Sequence, residues 1–388
     1  MNIGVVGWYG TETIGDRAIL FGICKVINNL NEEFKIHLGS LYPIFTDRTV
    51  KEDEVAYGQL SNLKEIYIYD VYNKADRNCL IDKSDIVLIG GGPLMDLRTI
   101  DLLLSIEKET QRKKKKFLVF GCGVGPLISG YFRNKTYKLC KNADLVIVRD
   151  KSSYQSLINE GLSQDKIKVY PDPAVYAAIH FKKKNKSLAS MPEDYYAFNF
   201  RDYQNHFARK SLYDADDFAN AIDSFIECEE EKGKKPQIYL VPMHNFAVGG
   251  DDRIYLNNLN QIMKNRINVI NDPLSMLETF SVYENALGCF GMRYHSVVLQ
   301  TVLNGNNAIL DYTNGKKGKI RGFIDDLEGG EFYDKRICSL QDGDQKKENV
   351  LHKVLTELTS GEKYLFDSGK VSKVFEDLTE DVRHLILL

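Results

Sequence analysis

Short strand-like runs, most of them apolar on both faces, recur along the chain, at 2–7, 34–42, 65–69, 85–90, 117–121, 144–148 and 166–169. Parallel strands covered by helices read this way, whereas a half-exposed strand alternates. Helical stretches fit between them at 15–30, 99–112, 131–141 and 151–160. This β–α alternation predicts a doubly wound sheet. After Pro171-Asp172-Pro173, the stretch "KKKNKSLASMP" (182–192) is charged and then small, which predicts a linker. Alternation then restarts, with strands near 195–200, 236–242, 267–271, 286–290 and 307–312 and helices near 214–232, 251–264, 273–284 and 296–304. The expected architecture is two α/β domains, 1–185 and 186–343, facing a cleft, with helices in 344–388 packing back across them.

Composition narrows the function classes. The 388 residues are 43% hydrophobic and 27% charged, a globular balance, and a net charge of −3 speaks against nucleic acid as partner. No apolar run approaches the length of a membrane span. The first residues enter a strand-like run without a basic leader, so a cytoplasmic protein is expected. The basic run "RKKKK" (112–116) reads as a solvated helix end, with peripheral contact at the inner face of a membrane as the other option. The seven cysteines contain no CxxC pair and the seven histidines lack ligand spacing, so neither a disulfide framework nor a metal site is expected. Nothing in the pattern specifies an oligomeric state.

Candidate chemistry gathers where strands end. In "GWYGTETIGDRAIL" (7–20), glycines including Gly10 permit tight turns, and the backbone around Thr11 and the helix start can hold an anion or a sugar hydroxyl. Asp16 either complements the helix dipole or accepts a hydroxyl hydrogen bond. "DIVLIGGGPLMD" (85–96) places Gly91 and Gly92 directly after a buried strand, where a ligand can approach the backbone, and "FLVFGCGVGPL" (117–127) repeats the device. "LVIVRDKSS" (145–153) puts Arg149 at a third strand end, to pair with Asp150 or another neighbour, or to contact a ligand. The second half contributes Arg201, His244, Arg293, His295 and Lys319, each after a strand. If "GMRYHS" (291–296) is still extended, Arg293 and His295 share a side; otherwise the segment is a helix cap. Clustered cations on a slightly acidic chain suit a small polyanionic substrate better than a polymer.

Taken together and in order, "GWYGTETIGDRAIL", "GGGPLMD", "GCGVGPL", "VRDKSS", "PDPA" and "GMRYHS" resemble the polysaccharide pyruvyl transferase family, over residues 3 to 325. The resemblance implies two Rossmann-like domains in a GT-B-like arrangement. It also implies transfer of the carbon skeleton of phosphoenolpyruvate onto two sugar hydroxyls as a ketal, with release of phosphate. Phosphoenolpyruvate is then a donor substrate rather than a cofactor, and the acceptor is a sugar of a polysaccharide or of its lipid-linked precursor. By the same resemblance Arg149 binds the donor, Arg293 and the backbone at Tyr294 hold its anion, His295 is catalytic, and Lys319 binds phosphate; apart from the resemblance, Asp16 is the candidate for the second proton. Two departures stand out: Thr13 where an asparagine is common, and a longer stretch after Tyr312 that carries Lys316 and Lys317 as rivals to Lys319. The competing readings are a GT-B glycosyltransferase using a nucleotide sugar, with Glu278 as ribose partner, and a catalytically silent carbohydrate-binding relative.

Overall fold

The computed structural model describes residues 1–182, 190–202, 213–313, 318–327, 330–340 and 348–387. The chain divides into two compact units, Met1–Glu12 with Asp16–Ala177 and Asp367–Leu388, and Thr13–Gly15 with Ala178–Phe366. The boundary at Ala177/Ala178 falls inside the helix Pro173–Phe181, and most of the expected linker lies outside the described residues.

The first unit is built on a parallel sheet of β1 (Asn2–Val6), β2 (Phe34–Ser40), β3 (Leu63–Asp70), β4 (Ile86–Gly90), β5 (Pro93–Leu94), β6 (Lys116–Val124), β7 (Leu145–Val148) and β8 (Ile167–Val169). Their order is β3-β2-β1-β4-β6-β7-β8, with β5 added onto β6. Every residue of β4 and β7 is buried, as expected for strands covered on both faces. Helices that were not expected include Pro43–Glu52, Glu54–Tyr57 and Lys74–Lys83. Each buries only two residues, so the sequence carries almost no apolar stripe there. Lys74–Lys83 is instead fixed at its ends. The Asn73 side chain accepts from the N–H of Ala75 at 2.8 Å and of Asp76 at 3.3 Å.

The basic run serves this unit internally. Lys115 Nζ donates to the carbonyls of Ile81, Asp82 and Ser84 at 2.6, 2.7 and 2.5 Å, closing the C-terminal end of the helix Lys74–Lys83. Arg112 pairs with Glu109, Lys113 with Asp82, and Lys116 with the carbonyl of Leu385. Arg112 thus stands in the last turn of its own helix, Thr99–Arg112, while Lys115 serves the end of the neighbouring one.

The second unit has β9 (Tyr195–Asn199), β10 (Gln237–Leu240), β11 (Asn268–Val269), β12 (Gly288–Gly291), β13 (Asn307–Asp311) and β14 (Ile337–Ser339) in the order β11-β10-β9-β12-β13-β14, all parallel. Phe198 on β9 packs against Phe225 and Phe290, with ring centroids 5.9 and 5.6 Å away. Capping boxes open two of its helices, Asp214 with Asp217 before Ala215–Glu231 and Ser275 with Glu278 before Met276–Asn285. The tail is divided. Helix Glu348–Thr356 belongs to the second unit, and Ser368–Leu387 to the first, where Phe375 stacks on Tyr176 at 4.1 Å.

Candidate functional site

Connections leave β9 and β12 toward opposite edges of the second sheet, which opens a crevice at their carboxyl ends. Arg201 follows β9, and Arg293 and His295 follow β12. The segment is not extended through His295: β12 ends at Gly291 and the helix Tyr294–Leu303 begins with Arg293 as its N-cap residue. The strand period therefore does not set the two side chains, and the cap reading holds. Arg293 is oriented by other means. Its N–H donates to Asn199 Oδ1 at 3.0 Å, and its Nε and Nη2 grip the buried carboxylate of Asp252 at 2.6 to 2.9 Å. Asp252 is itself fixed by the N–H groups of Met243 (3.0 Å) and His244 (3.1 Å). This two-point grip leaves Nη1 as the edge that can meet an anion.

Around the buried phenol of Tyr312 the cations converge. Arg201 lies over its ring, 5.4 Å from the centroid, with Nη1 3.4 Å from the hydroxyl. Burial would raise the Tyr312 pKa, but Lys319, Arg201 and Arg293 together outweigh it and bring it down to about 8. For Arg201, burial and then Arg293 lower the pKa, though a guanidinium keeps its charge. The expected result is a tyrosinate absorbance step with a midpoint near pH 8, absent in Tyr312→Phe. An unfolded chain holds this proton up to about pH 10. Ionised Tyr312 thus stabilises the unit fully above that pH, and the contribution is lost as pH falls through about 8. A midpoint at 10 or above would mean that the three cations do not act on this phenol.

Lys319 opens the helix Lys319–Asp325, and its Nζ lies 5.9 Å from the centroid of the Tyr294 ring. Lys316 and Lys317 lie outside the described residues. His295, half-buried in the first turn of its helix, sits beside Tyr294 with ring centroids 4.9 Å apart. Gly15, which belongs to this unit, makes room for it: a Cβ there would stand 2.0 Å from His295 Nδ1. Buried His244 bridges to Thr13 through the backbone, and Ile14 N–H donates to the Met243 carbonyl at 3.1 Å.

In the first unit the glycine loops meet each other. A Cβ on Gly92 would stand 1.9 Å from Trp8, one on Gly91 2.6 Å from Ile19, and one on Gly10 2.5 Å from Ser40 Oγ. Thr11 Oγ1 donates to the Trp8 carbonyl at 3.0 Å, and Tyr9 donates to that of Gly90 at 2.7 Å. Asp16 lies in the first turn of the helix Ile14–Asn28 and helps, after burial, to raise the Tyr9 pKa. The Arg149 side chain is 1% exposed, with Nη1 2.9 Å from Asp172 Oδ2 and Nε 4.0 Å from Asp150. A Cβ on Gly123 would stand 2.7 Å from Nε. Three stretches, "GCGVGPL", "VRDKSS" and "PDPA", thus meet at one buried ion pair.

A comparison with protein-family models matches residues 14–313 to the family described as polysaccharide pyruvyl transferase. The chain belongs to that family. A comparison with curated proteins found none that matches. Solved structures with similar folds include UDP-GlcNAc 2-epimerase from Methanocaldococcus jannaschii, 13% identical with a TM-score of 0.63 over 99% of this chain and 100% of that one. The UDP-GlcNAc 2-epimerase from Neisseria meningitidis, bound to UDP-GlcNAc, is 10% identical, with a TM-score of 0.61 over 98% and 99%. Alr3699/HepE from Anabaena, in complex with UDP and glucose, is 12% identical, with a TM-score of 0.57 over 99% and 100%. At these identities the likeness is one of fold, and it makes this polysaccharide pyruvyl transferase family member GT-B-like, with two parallel-sheet α/β domains.

Asp252, Asn199 and Tyr312 were not singled out from the sequence. Asp252 had a faint signal, as the second acidic residue of "GGDD" at a helix start. Nothing local marks Asn199 or Tyr312, whose partners lie 94 and 111 residues away along the chain.

Proposed function

We propose that the chain transfers the pyruvyl group of phosphoenolpyruvate onto two hydroxyls of a sugar in a polysaccharide or its lipid-linked precursor, forming a ketal and releasing phosphate. The supporting observation is the convergence of Arg201, Arg293 and Lys319 on Tyr312, with His295 against Tyr294, in a chain of this family. Phosphoenolpyruvate carries a carboxylate and a phosphate, and fixed guanidinium and ammonium groups answer both. In the reaction C3 takes a proton, positive charge builds at C2, and a sugar oxygen attacks there. The second hydroxyl then displaces phosphate. His295 handles a proton of this sequence and Asp16 the other, while Lys319 neutralises the departing phosphate. Phosphoenolpyruvate is consumed, so the scheme needs no cofactor.

Lys319→Ala is expected to lower turnover by about 10- to 100-fold, the worth of one charge-assisted contact. The same variant should raise the Tyr312 titration midpoint, because Lys319 is the strongest of the three cations acting on it. Phosphate-release kinetics and the absorbance titration check both. A larger loss of turnover in Lys316→Ala or Lys317→Ala would move the phosphate role to that lysine.

A nucleotide-sugar reaction is the second reading, favoured by the UDP complexes among the similar folds. Glu278, its expected ribose partner, accepts the Ser275 N–H at 2.7 Å within a capping box. A thermal-shift comparison tests the proposal: phosphoenolpyruvate is expected to stabilise the protein more than UDP or GDP, and the reverse order would overturn it.

A further inference from the structure

We infer that the first unit carries a docking surface for an anionic lipid bilayer, formed by the loops after β5 and β6 and the helix Gly130–Asn142. Ile128 is 75% exposed, Tyr131 47% and Leu97 37%. They are neighbours rather than scattered: Asp96, next to Leu97, accepts the N–H of Ile128 at 3.2 Å and of Ser129 at 3.0 Å. Apolar side chains grouped at a loop tip mark an interaction site more often than lone ones do.

The helix that follows defines the partner. Gly130–Asn142 carries Arg133, Lys135, Lys138 and Lys141 and no carboxylate, on a chain whose net charge is −3. Tyr131 joins the apolar tip to these cations, with its hydroxyl 3.0 Å from Asp101 and the Lys135 ammonium 4.0 Å from its ring centroid. Beyond Asp101 runs a groove between this helix and the helices Thr99–Arg112 and Lys74–Lys83. Three groove cations are committed within the fold: Lys135 to Asp101, Arg112 to Glu109, and Arg77 to the carbonyls of Val71 and Tyr72. Lys74, Lys108 and Lys138 also line it, are exposed, and make no ion pair among the described residues. Apolar tips that enter an acyl boundary beside cations that meet anionic headgroups are the two parts of peripheral membrane binding. The patch lies beyond the carboxyl ends of β5 and β6, the edge at which open α/β sheets bind ligands. Apart from Arg112, which lines the groove but pairs with Glu109, the run 112–116 is not this surface: Lys113, Lys115 and Lys116 are engaged by Asp82 and by backbone carbonyls of the fold. The inference is independent of the donor chemistry proposed above.

The full chain should be sedimented with vesicles of phosphatidylcholine alone and of phosphatidylcholine with phosphatidylglycerol. Binding is expected only with phosphatidylglycerol and should fall as salt is raised. Lys108→Glu with Lys138→Glu should weaken it at least 25-fold, at about fivefold for each cation lost. Leu97→Ser with Ile128→Ser should weaken it about tenfold or more. Ile128→Ser alone, at a side chain that is 75% exposed, provides a variant without a folding cost. No binding to phosphatidylglycerol vesicles, equal binding to both compositions, or variants that bind like the parent would overturn the inference.

Discussion

His295→Gln is expected to lower turnover by about two to four decades, the usual worth of a general acid or base, while the protein stays folded. Glutamine keeps similar reach and can still hydrogen-bond, but it cannot carry a proton near neutral pH. Arg201, Arg293 and Lys319 are untouched by the change, so donor affinity should survive. Gly15 leaves the imidazole its space, since a Cβ there would stand 2.0 Å from Nδ1. A purely structural histidine would give the opposite pattern, with a lower melting temperature and near-normal turnover per folded molecule. Melting temperature, donor affinity and phosphate release, measured on this one variant, separate the two.

Arg149→Met should destabilise the first unit by about 3–5 kcal/mol, the cost of leaving one member of a buried ion pair alone. Asp172 would lose the Nη1 contact at 2.9 Å while keeping its own side chain 1% exposed. It would still accept the Ala174 N–H at 2.9 Å, which does not neutralise its charge. Adding Asp172→Asn should restore part of the loss, because the second change removes the stranded carboxylate. Urea unfolding of the parent, the two single variants and the double variant gives this cycle. A loss below about 1 kcal/mol would mean that the pair contributes no more than a surface one. The donor-binding role that the family resemblance implies is read separately: it requires weaker phosphoenolpyruvate binding by the variant under conditions where it remains folded.

Legibility in the sequence followed the apolar pattern. Strands such as β4 and β7 are buried on every residue, so the chain marks them with uninterrupted hydrophobic runs. The helices at 43–52 and 74–83 bury two residues each, and 74–83 is held by its Asn73 cap and by Lys115, features that leave no periodic trace. The strand β14, three residues long, is too short to show a period. Within the site, Arg293 and His295 were visible because they interrupt an apolar stretch. What orients them was not visible: Asp252 and Asn199 reach Arg293 across 41 and 94 residues of chain. The glycine loops could be read as open to a ligand, yet at Gly91 and Gly92 the space belongs to Ile19 and Trp8. Arg149 was open to two readings because its partner, Asp172, lies 23 residues on, in a stretch that reads first as a turn.

The central claim is that phosphoenolpyruvate is the donor. Incubation with phosphoenolpyruvate and a panel of lipid-linked and nucleotide-linked sugars, following phosphate and product mass together, tests it most directly. The account predicts phosphate released in step with an acceptor that gains one pyruvate ketal, and loss of both signals in His295→Gln. An acceptor that instead gains a sugar from a nucleotide donor, with phosphoenolpyruvate left intact, would contradict it.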